Sequence, residues 1–266
     1  MSPEEHYTHG HHESVLRSHT WRTVANSAAY LAPRLIEGCD VLDVGCGPGT
    51  ITAEMADRVG SSGSVIGMDA SAEVVELAAS EQVRPNLSFV TGDVYAIGAD
   101  DNTYDIVHAH QVLQHLADPV AALVEMRRVC RPGGIVAARD ADYRAMSWHP
   151  EPSAMDRWLE LYQRITRRNG GEPDAGRLLL TWAHQAGFND VASSASVWCF
   201  ALPDERKWWA NLWADRVTQS RLAEQALSEG FATAAELTEI ADTWRAWAAD
   251  PDAWFAVLHG EILARV

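Results

Sequence analysis

Between residues 38 and 140, short apolar runs alternate with stretches of helical periodicity. The apolar runs predict buried strands at 41–44, 65–68, 87–90, 106–109 and 135–138. The stretches between them predict helices at 50–59, 72–80 and 119–129. Strands that alternate with helices need crossover connections, and these produce a parallel sheet covered on both faces. The alternation therefore predicts a doubly wound α/β fold.

The flanking regions have a different character. Helical spacing of apolar residues over 18–36 predicts an N-terminal helical cap within residues 1–37. Beyond residue 140, strands are predicted at 191–201 and 254–263, and helices at 152–168, 174–186, 204–229 and 233–249. No Gly/Ser linker separates the halves. We therefore expect one domain over 38–266, with a core at 38–140 and helical insertions at 141–172 and 204–250.

A glycine-rich turn follows the first strand. Gly45, Gly47 and Gly49 lie between that strand and a helix that starts near Thr50. Glycine tolerates positive φ and lets a ligand approach the backbone, and a helix N-terminus offers free N–H groups. The spacing is GxGxG rather than the GxGxxG of dinucleotide binders, and Pro48 removes one donor, which disfavours a bound pyrophosphate. A purely structural turn is the alternative.

Carboxylates follow the next two strands. Asp69 ends the second strand, twenty residues after Gly49, where an acidic side chain can bind both ribose hydroxyls. Asp93 follows the third strand and could accept a hydrogen bond from an adenine amine. Ligands of such sheets lie outside the carboxyl ends of the strands. The turn and both acids are therefore expected to face one crevice.

Five segments resemble the ordered motifs of class I S-adenosylmethionine-dependent methyltransferases. They are VLDVGCGPG, MDAS, TGDV, YDIVHAHQVLQHL and RPGG, and they resemble most the enzymes of ubiquinone and menaquinone biosynthesis. The resemblance implies a Rossmann-like, mostly parallel, seven-stranded sheet with an antiparallel last strand and helices on both faces. It implies helical insertions that form a lid, S-adenosylmethionine as cofactor and S-adenosylhomocysteine as product.

The resemblance also implies which residues hold the methionine part of the cofactor. Gly45, Cys46 and Gly47 are expected to pass beneath it. Asp43 is expected to support its ammonium group.

On the adenosine side, the resemblance places Asp69 at the ribose and Ala70 beside the adenine. Asp93 and Val94 are expected to meet the adenine edge, through a side chain and a backbone group respectively.

Residues after the fourth strand are expected beside the sulfonium and the acceptor. The resemblance gives this position to His110 and Gln111, and His115 lies five residues further on. An imidazole is the natural base near neutral pH, so His110 and His115 are candidate catalytic residues. The alternative for His115 is that it only packs or caps the following helix. His108, within the strand, is expected to be structural.

Asp140 and Tyr143 follow the fifth strand and are further catalytic candidates. Either could bind a hydroxyl or amine of the acceptor or act as a base, and either could simply begin a loop. In the N-terminal cap, Tyr7 and Arg22 could reach the cofactor, with Arg22 on the methionine carboxylate or merely on a solvated helix face. A zinc site at His9-Gly-His11-His12 lacks thiolates or carboxylates at ligand spacing, and we expect no metal.

Ten of the eleven tryptophans lie at or after residue 148, several of them in the helical insertions. If the insertions cover the crevice, these residues predict an apolar or aromatic acceptor pocket. Helix packing, or the interface of a homodimer, is the equal alternative.

Charge and composition narrow the partners. The net charge is −16, which would repel nucleic acid. No run of eighteen apolar residues and no signal-peptide pattern is present, and the four cysteines are scattered, which favours a cytoplasmic protein. We predict methyl transfer to carbon or oxygen of a small molecule. The alternatives are a nicotinamide oxidoreductase, and a protein of this fold that binds the cofactor but acts as a cyclase or binding module.

Overall fold

The computed structural model describes residues 20–266, and within them the chain forms a single mixed sheet of eight strands. The strands are β1 (Asp40–Val44), β2 (Ser64–Asp69), β3 (Leu87–Thr91), β4 (Tyr104–His110), β5 (Cys130–Ala141), β6 (Ser147–His149), β7 (Asp190–Phe200) and β8 (Trp254–Arg265). All seven predicted strands are present. The eighth, β6, has three residues and was not predicted, because a run this short has no readable periodicity.

The strand order is that of a doubly wound sheet. Strands β3, β2, β1, β4 and β5 are neighbours in that order and run parallel. Strand β8 runs antiparallel and lies between β7 on one side and β5 with β6 on the other. The predicted Rossmann-like sheet with an antiparallel last strand is therefore confirmed. The order reverses direction between β1 and β4, which is where such sheets open a ligand crevice.

Helices cover the two faces of the sheet and its carboxyl edge. They are α1 (Val24–Ser27), α2 (Thr50–Val59), α3 (Ala72–Glu81), α4 (Pro119–Val129), α5 (Ser153–Arg168), α6 (Leu179–Gln185), α7 (Pro203–Gln219), α8 (Arg221–Ser228) and α9 (Ala234–Ala249). Single 3₁₀ turns occur at Ala32–Arg34, Leu113–His115, Tyr143–Ala145 and Ala175–Arg177. The helices of the core match the prediction within one residue.

Three predicted helices are interrupted. The helix predicted over 174–186 forms the 3₁₀ turn Ala175–Arg177 and the separate helix α6 (Leu179–Gln185). The helix predicted over 18–36 is wrong for residues 21–36, where only α1 and the 3₁₀ turn Ala32–Arg34 form. Pro33 lies in that turn and has no N–H, so it cannot donate the backbone hydrogen bond that would continue a helix from the preceding residues. The helix predicted over 204–229 divides into α7 and α8 because Ser220 takes an extended conformation and its hydroxyl accepts from the N–H of Leu222.

Three apolar clusters hold these layers together. One joins a face of the sheet to α4 and α6, and a second joins the other face to α1 and α2. The third, here called the aromatic cluster, joins α5, α7, α8 and α9 to residues of β6, β7 and β8 and contains Trp158, Trp213, Trp244 and Phe255. Trp158 is 1% exposed, with ring centroids 4.6 Å from Trp213 and 4.9 Å from Trp244. These four helices and the sheet residues therefore share one core.

One face of the sheet also carries a row of buried polar side chains. Asp43 pairs in register with His108, and Arg139 is in register with both His110 and Glu261. All five are at most 5% exposed. Such groups are costly to bury in an apolar layer. The row runs toward the carboxyl ends of the strands, where the main cavity lies.

Candidate active site

A cavity of about 950 Å³ opens at the carboxyl ends of β1, β2, β3 and β4 and continues under the insertion helices. It is lined by thirteen of the fifteen predicted site residues: Arg22, Asp43, Gly45, Cys46, Gly47, Asp69, Ala70, Asp93, Val94, His110, Gln111, His115 and Tyr143. Asp140 does not line it, and Tyr7 lies outside the described residues. Most of the predicted site residues therefore share one cavity.

The glycine-rich turn forms the floor of the cavity. Gly45, Gly47 and Gly49 have φ values of +64°, +55° and +75°, in the region that side chains avoid. A Cβ on Gly45 would also overlap the side chain of Val112. Backbone is therefore exposed to the cavity, and the free N–H groups at the start of α2 follow it directly.

Asp69 connects this turn to the end of β2. Its Oδ2 accepts from the N–H of Gly47 at 3.0 Å, and its Oδ1 accepts from the N–H of Ser71 at 3.1 Å. Each carboxylate oxygen has a second lone pair. Asp69 can therefore hold the turn in place and still accept two hydroxyl donors from the cavity.

Asp93 and Val94 lie at the end of β3. Oδ1 of Asp93 accepts from the N–H of Tyr95 at 2.9 Å, which fixes the side chain in a local turn. Both residues line the cavity, as does Ala70 after β2. The two acids are thus at neighbouring strand ends.

Asp43 is held by two side chains of the protein. Its Oδ1 lies 2.7 Å from Nδ1 of His108, and its Oδ2 accepts from the hydroxyl of Thr52 at 2.6 Å. The carboxylate is 3% exposed but touches the cavity. This contact with Asp43 is consistent with the structural role expected of His108.

His110 is buried and neutral at the end of β4. Burial, followed by the charges of Arg22 and Arg139, lowers its pKa well below the usual value. Neither ring nitrogen has a hydrogen-bond partner among the described residues. His110 is therefore a neutral imidazole with hydrogen-bonding capacity facing the cavity, and a weak base.

Gln111 has a φ of +54°, unusual for a residue with a side chain. Its Oε1 accepts from Nη2 of Arg22 at 2.6 Å, so its amide nitrogen must donate to Nε2 of His259, 2.9 Å away. His259 then carries its proton on Nδ1 and donates it to the carbonyl of Val257 at 3.1 Å. Gln111 thereby attaches Arg22 to the end of the sheet.

Gln114 fixes the tautomer of His115. Oε1 of Gln114 accepts from the N–H of Ala141 at 3.2 Å, so its amide nitrogen points to Nε2 of His115, 3.0 Å away. That nitrogen must accept, which leaves the proton on Nδ1. Burial, together with Arg22 and Arg216, lowers the pKa of His115 to about 3. His115 is thus suited to donate a hydrogen bond rather than to remove a proton.

The two candidates after β5 differ in position. Asp140 is fully buried outside the cavity, where its Oδ1 accepts from the N–H of Gln114 at 3.2 Å, and burial raises its pKa to about 7. Direct contact of Asp140 with an acceptor is therefore not supported. Tyr143 lines the cavity and stacks on Tyr162 with ring centroids 4.1 Å apart, and burial raises the pKa of its hydroxyl.

Sequence reasoning missed the residues that complete the far wall. Trp198 from β7 and Arg216 from α7 line the cavity, and Gln114 lies between His115 and the sheet. Trp208 and Trp209 were expected in a lid but not assigned to the site, and both line the cavity. No sequence motif indicates these positions, because they depend on tertiary packing.

Comparison with known proteins agrees with this geometry. The family described as a methyltransferase domain matches residues 35–210. An uncharacterized methyltransferase of Schizosaccharomyces pombe is 37% identical over 97% of this chain and 95% of its own length. The chain therefore belongs to the methyltransferase family, and the resemblance to class I S-adenosylmethionine-dependent methyltransferases is confirmed.

More distant matches cover part of the chain or share only its fold. A demethylmenaquinone methyltransferase of Lactococcus lactis is 31% identical over 48% of this chain and 49% of its own. The solved structure of the YcgJ protein of Bacillus subtilis superposes with a TM-score of 0.56 at 17% identity, covering 89% of this chain and 97% of that one. The first match covers about half of each chain, and the second supports the fold alone. Within the described residues, no helix is both long and apolar enough to cross a membrane.

Proposed function

We propose that this methyltransferase transfers the methyl group of S-adenosylmethionine to a carbon or oxygen atom of a small molecule. The observation that carries the proposal is that the glycine-rich turn, both strand-end carboxylates and the candidate catalytic imidazoles open into one cavity. Its volume, about 950 Å³, accommodates a cofactor and a small acceptor together.

The residues around the turn fit the cofactor. Asp69 has lone pairs for two ribose hydroxyls, and the exposed backbone at Gly45 and Gly47 leaves room for the methionine part. Asp93 can accept from the adenine amine, with Val94 and Ala70 against the ring. Asp43 supplies negative charge for the ammonium group, and Arg22, tethered by Gln111, supplies positive charge for the carboxylate.

When bound, the cofactor supplies an already activated methyl group. The chain needs to orient the acceptor in line with that group and exclude water, which together can provide most of the acceleration. His110 and His115 are neutral and face the cavity, so they can hold acceptor oxygens by hydrogen bonds. Tyr143 can do the same through its hydroxyl. Methyl transfer from such a site does not depend on a strong base.

The insertion helices then serve as a lid in this proposal. Trp208 and Trp209 from α7 line the cavity on the side away from the turn, and Met146 from the 141–172 segment lines it as well. An apolar wall there would exclude water from the transferring methyl group. The same helices pack in the aromatic cluster against residues of β6, β7 and β8, so the lid is joined firmly to the sheet.

Titration calorimetry with S-adenosylhomocysteine tests the cofactor. We expect binding, no comparable binding of NADH, and a loss of affinity of about 1–3 kcal/mol in Asp69→Ala, because two charge-assisted hydrogen bonds are removed. Asp57→Ala is the matched control. Asp57 is exposed and does not line the cavity, and its carboxylate lies 2.8 Å from Nε of Arg84. Unchanged affinity in Asp69→Ala would remove Asp69 from the site.

Methyl transfer needs its own test. Incubation with labelled S-adenosylmethionine and a small-molecule extract should give a labelled product that is soluble after protein removal. Bound cofactor with no label in any product would instead favour a protein that uses this fold for another reaction or for binding alone.

A further inference from the structure

Arg139 of β5 is a buried charge that leaves most of its hydrogen-bonding groups unused. It is 1% exposed, and its Nε donates to the hydroxyl of Ser196 at 3.0 Å and to Oε1 of Glu261 at 3.3 Å. The other four N–H groups of the guanidinium lie on Nη1 and Nη2, and neither atom has a partner among the described residues. Burying such donors is costly unless another group accepts from them.

His110 lies beside Arg139 on the same face of the sheet. The two residues are in register on the parallel strands β4 and β5, which are about 4.8 Å apart, so their side chains leave the sheet next to each other. Within residues 20–266, neither ring nitrogen of His110 has a hydrogen-bond partner. His110 lines the cavity, whereas Arg139 does not. The guanidinium therefore lies behind the imidazole as seen from the cavity.

Other polar neighbours of His110 are committed elsewhere. The ring centroid of His259 is 6.3 Å away, and both of its nitrogens are used in the contacts with Gln111 and with the carbonyl of Val257. The ring centroid of Trp198 is 5.8 Å away, and its indole N–H donates to a backbone carbonyl of α1 at 2.6 Å. The Nη groups of Arg139 take part in none of these contacts.

Two more groups in the same layer lack partners. The hydroxyl of Tyr30 and Nε2 of His108 are buried and unpaired in the part of the chain that the structure describes, and the two rings are 6.5 Å apart. Burial raises the pKa of the Tyr30 hydroxyl and the charge of Arg139 opposes that rise, so the hydroxyl lies within electrostatic reach of the guanidinium. A buried water typically binds where two to four polar groups converge. These side chains form such a set.

The chemistry of these groups fixes the direction of their hydrogen bonds. A guanidinium only donates, and Arg139 stays charged at neutral pH because burial lowers its pKa only to about 10. A water bound to Arg139 therefore uses a lone pair there and keeps its protons for other groups. His110 is neutral, so one of its nitrogens accepts and the other donates. The nitrogen that meets this water must accept, which leaves the proton of the ring on the other nitrogen.

We infer that Arg139 is a positioning residue for His110: together with Tyr30 it holds one ordered water against the rear nitrogen of the ring, so that His110 turns its N–H toward the cavity. The inference deepens the proposed methyl transfer and rests on it for the role of that N–H, which holds an oxygen atom of the acceptor. Arg139 itself does not touch the acceptor. A residue behind the cavity wall thereby selects acceptors that present a hydrogen-bond acceptor to His110.

Nitrogen NMR of the protein with ¹⁵N-labelled histidine tests the tautomer, because protonated and unprotonated ring nitrogens have well-separated chemical shifts. The signals of His110 are those that disappear in His110→Asn. At about pH 8 we expect a neutral ring with one dominant tautomer. A crystal structure of the same protein should show a water within about 3.2 Å of both an Nη atom of Arg139 and a ring nitrogen of His110.

Variants identify the residue responsible. Arg139→Met is combined with Glu261→Gln, so that no unpaired carboxylate is left buried. In this double variant the ratio of the two His110 tautomers should fall about two- to tenfold, the effect of one net hydrogen bond. Arg139→Lys should keep part of the ratio, because a donor remains. The matched control is Arg131→Gln, at the other end of β5, where Arg131 pairs with Asp105 at 2.9 Å. It should leave the ratio unchanged.

The outcomes separate this inference from the proposed function. A doubly protonated His110, equal tautomers in the wild type, a direct hydrogen bond from Arg139 without a water, or an unchanged ratio in the double variant overturns the inference. These measurements need neither cofactor nor acceptor. Failure of S-adenosylhomocysteine to bind therefore counts against the methyl-transfer proposal instead. If the double variant does not fold, Tyr30→Phe decides, because it removes one partner of the water and should lower the ratio in the same direction.

Discussion

The two ends of the cavity are built in different ways. At the end proposed for the cofactor, Asp69 and Asp93 are fixed by backbone N–H groups two residues away or in the adjacent turn. At the end proposed for the acceptor, Trp198 and Arg216 come from elements that are distant in sequence and meet only through packing. The first end is therefore specified by local chemistry, and the second by the tertiary arrangement of the insertion helices.

This difference has a consequence for variation. In the proposed function, the turn and the strand-end acids must keep one geometry to hold one cofactor, whereas a wall of side chains on packed helices can change its chemistry while the sheet stays the same. The aromatic cluster supports this wall because it packs α5, α7, α8 and α9 against residues of β6, β7 and β8. Damage to one end should therefore leave the other end measurable.

The largest expected effect is on the aromatic cluster. Trp158→Ala should lower the free energy of unfolding by about 3–5 kcal/mol, because a fully buried indole is lost and a cavity remains. Chemical denaturation measures this change. At low temperature, where the variant stays folded, its affinity for S-adenosylhomocysteine should be close to that of the wild type.

Trp208→Ala provides the comparison, since Trp208 is only partly buried and lines the cavity. This variant should lower the free energy of unfolding by less than about 1.5 kcal/mol, because the side chain of Trp208 buries less apolar surface than that of Trp158. Equal destabilisation by the two variants would contradict this expectation, because it would show that Trp208 supports the aromatic cluster as much as Trp158 does.

The next largest effect concerns the turn. Gly45→Ala should weaken S-adenosylhomocysteine binding by about a hundredfold, because positive φ is strained for alanine and its Cβ overlaps Val112. Calorimetry measures the affinity. Gly133→Ala is the matched control: its φ is +81°, no atom lies within 4 Å of a Cβ there, and it does not line the cavity. Loss of affinity in both variants would attribute the effect to instability rather than to the site.

The sequence predicted the end of the cavity at the glycine-rich turn better than the opposite wall. Strand ends and glycines at 41–49 are contiguous in sequence, so the turn, Asp69 and Asp93 were placed in the cavity correctly. Gln114 was missed because its function depends on a contact with the Ala141 backbone, 27 residues away. Arg216 and Trp198 gave no motif at all. Asp140 was placed at the correct strand end. Its side chain is fully buried and does not line the cavity, because the direction of a side chain at a strand end depends on the local backbone and its contacts.

A smaller effect is expected from the pH dependence of Asp140. Its folded pKa, about 7, lies above the unfolded value, so its contribution to stability is present at low pH and is lost as pH rises toward 7. Asp140→Asn cannot ionise. The unfolding free energy of the variant relative to the wild type should therefore rise by up to about 2 kcal/mol between pH 5.5 and 7 and then level off. Parallel stability curves across this interval would contradict the raised pKa.

The smallest effect concerns His115 and decides what kind of site the acceptor end is. His115→Ala should lower turnover about tenfold with little change in cofactor affinity, because one orienting hydrogen bond is worth roughly 1.4 kcal/mol. A general base would contribute about a hundredfold or more. Methyl transfer to the acceptor found by the labelling screen measures this loss.

The pH profile separates the two roles of His115 more sharply than the size of the loss. A neutral donor with a pKa of about 3 keeps the same state from pH 8 to pH 5, so the ratio of wild-type to His115→Ala turnover should be constant over that range. A base with an ordinary pKa would lose its advantage as it became protonated below pH 6.5, and the ratio would approach one.

Gln114→Leu provides a second test, because it removes the donor that holds Nε2 of His115. If Gln114 sets the tautomer, that variant should lose turnover as His115→Ala does, and the double variant should lose little more, since residues acting through one hydrogen bond are not additive.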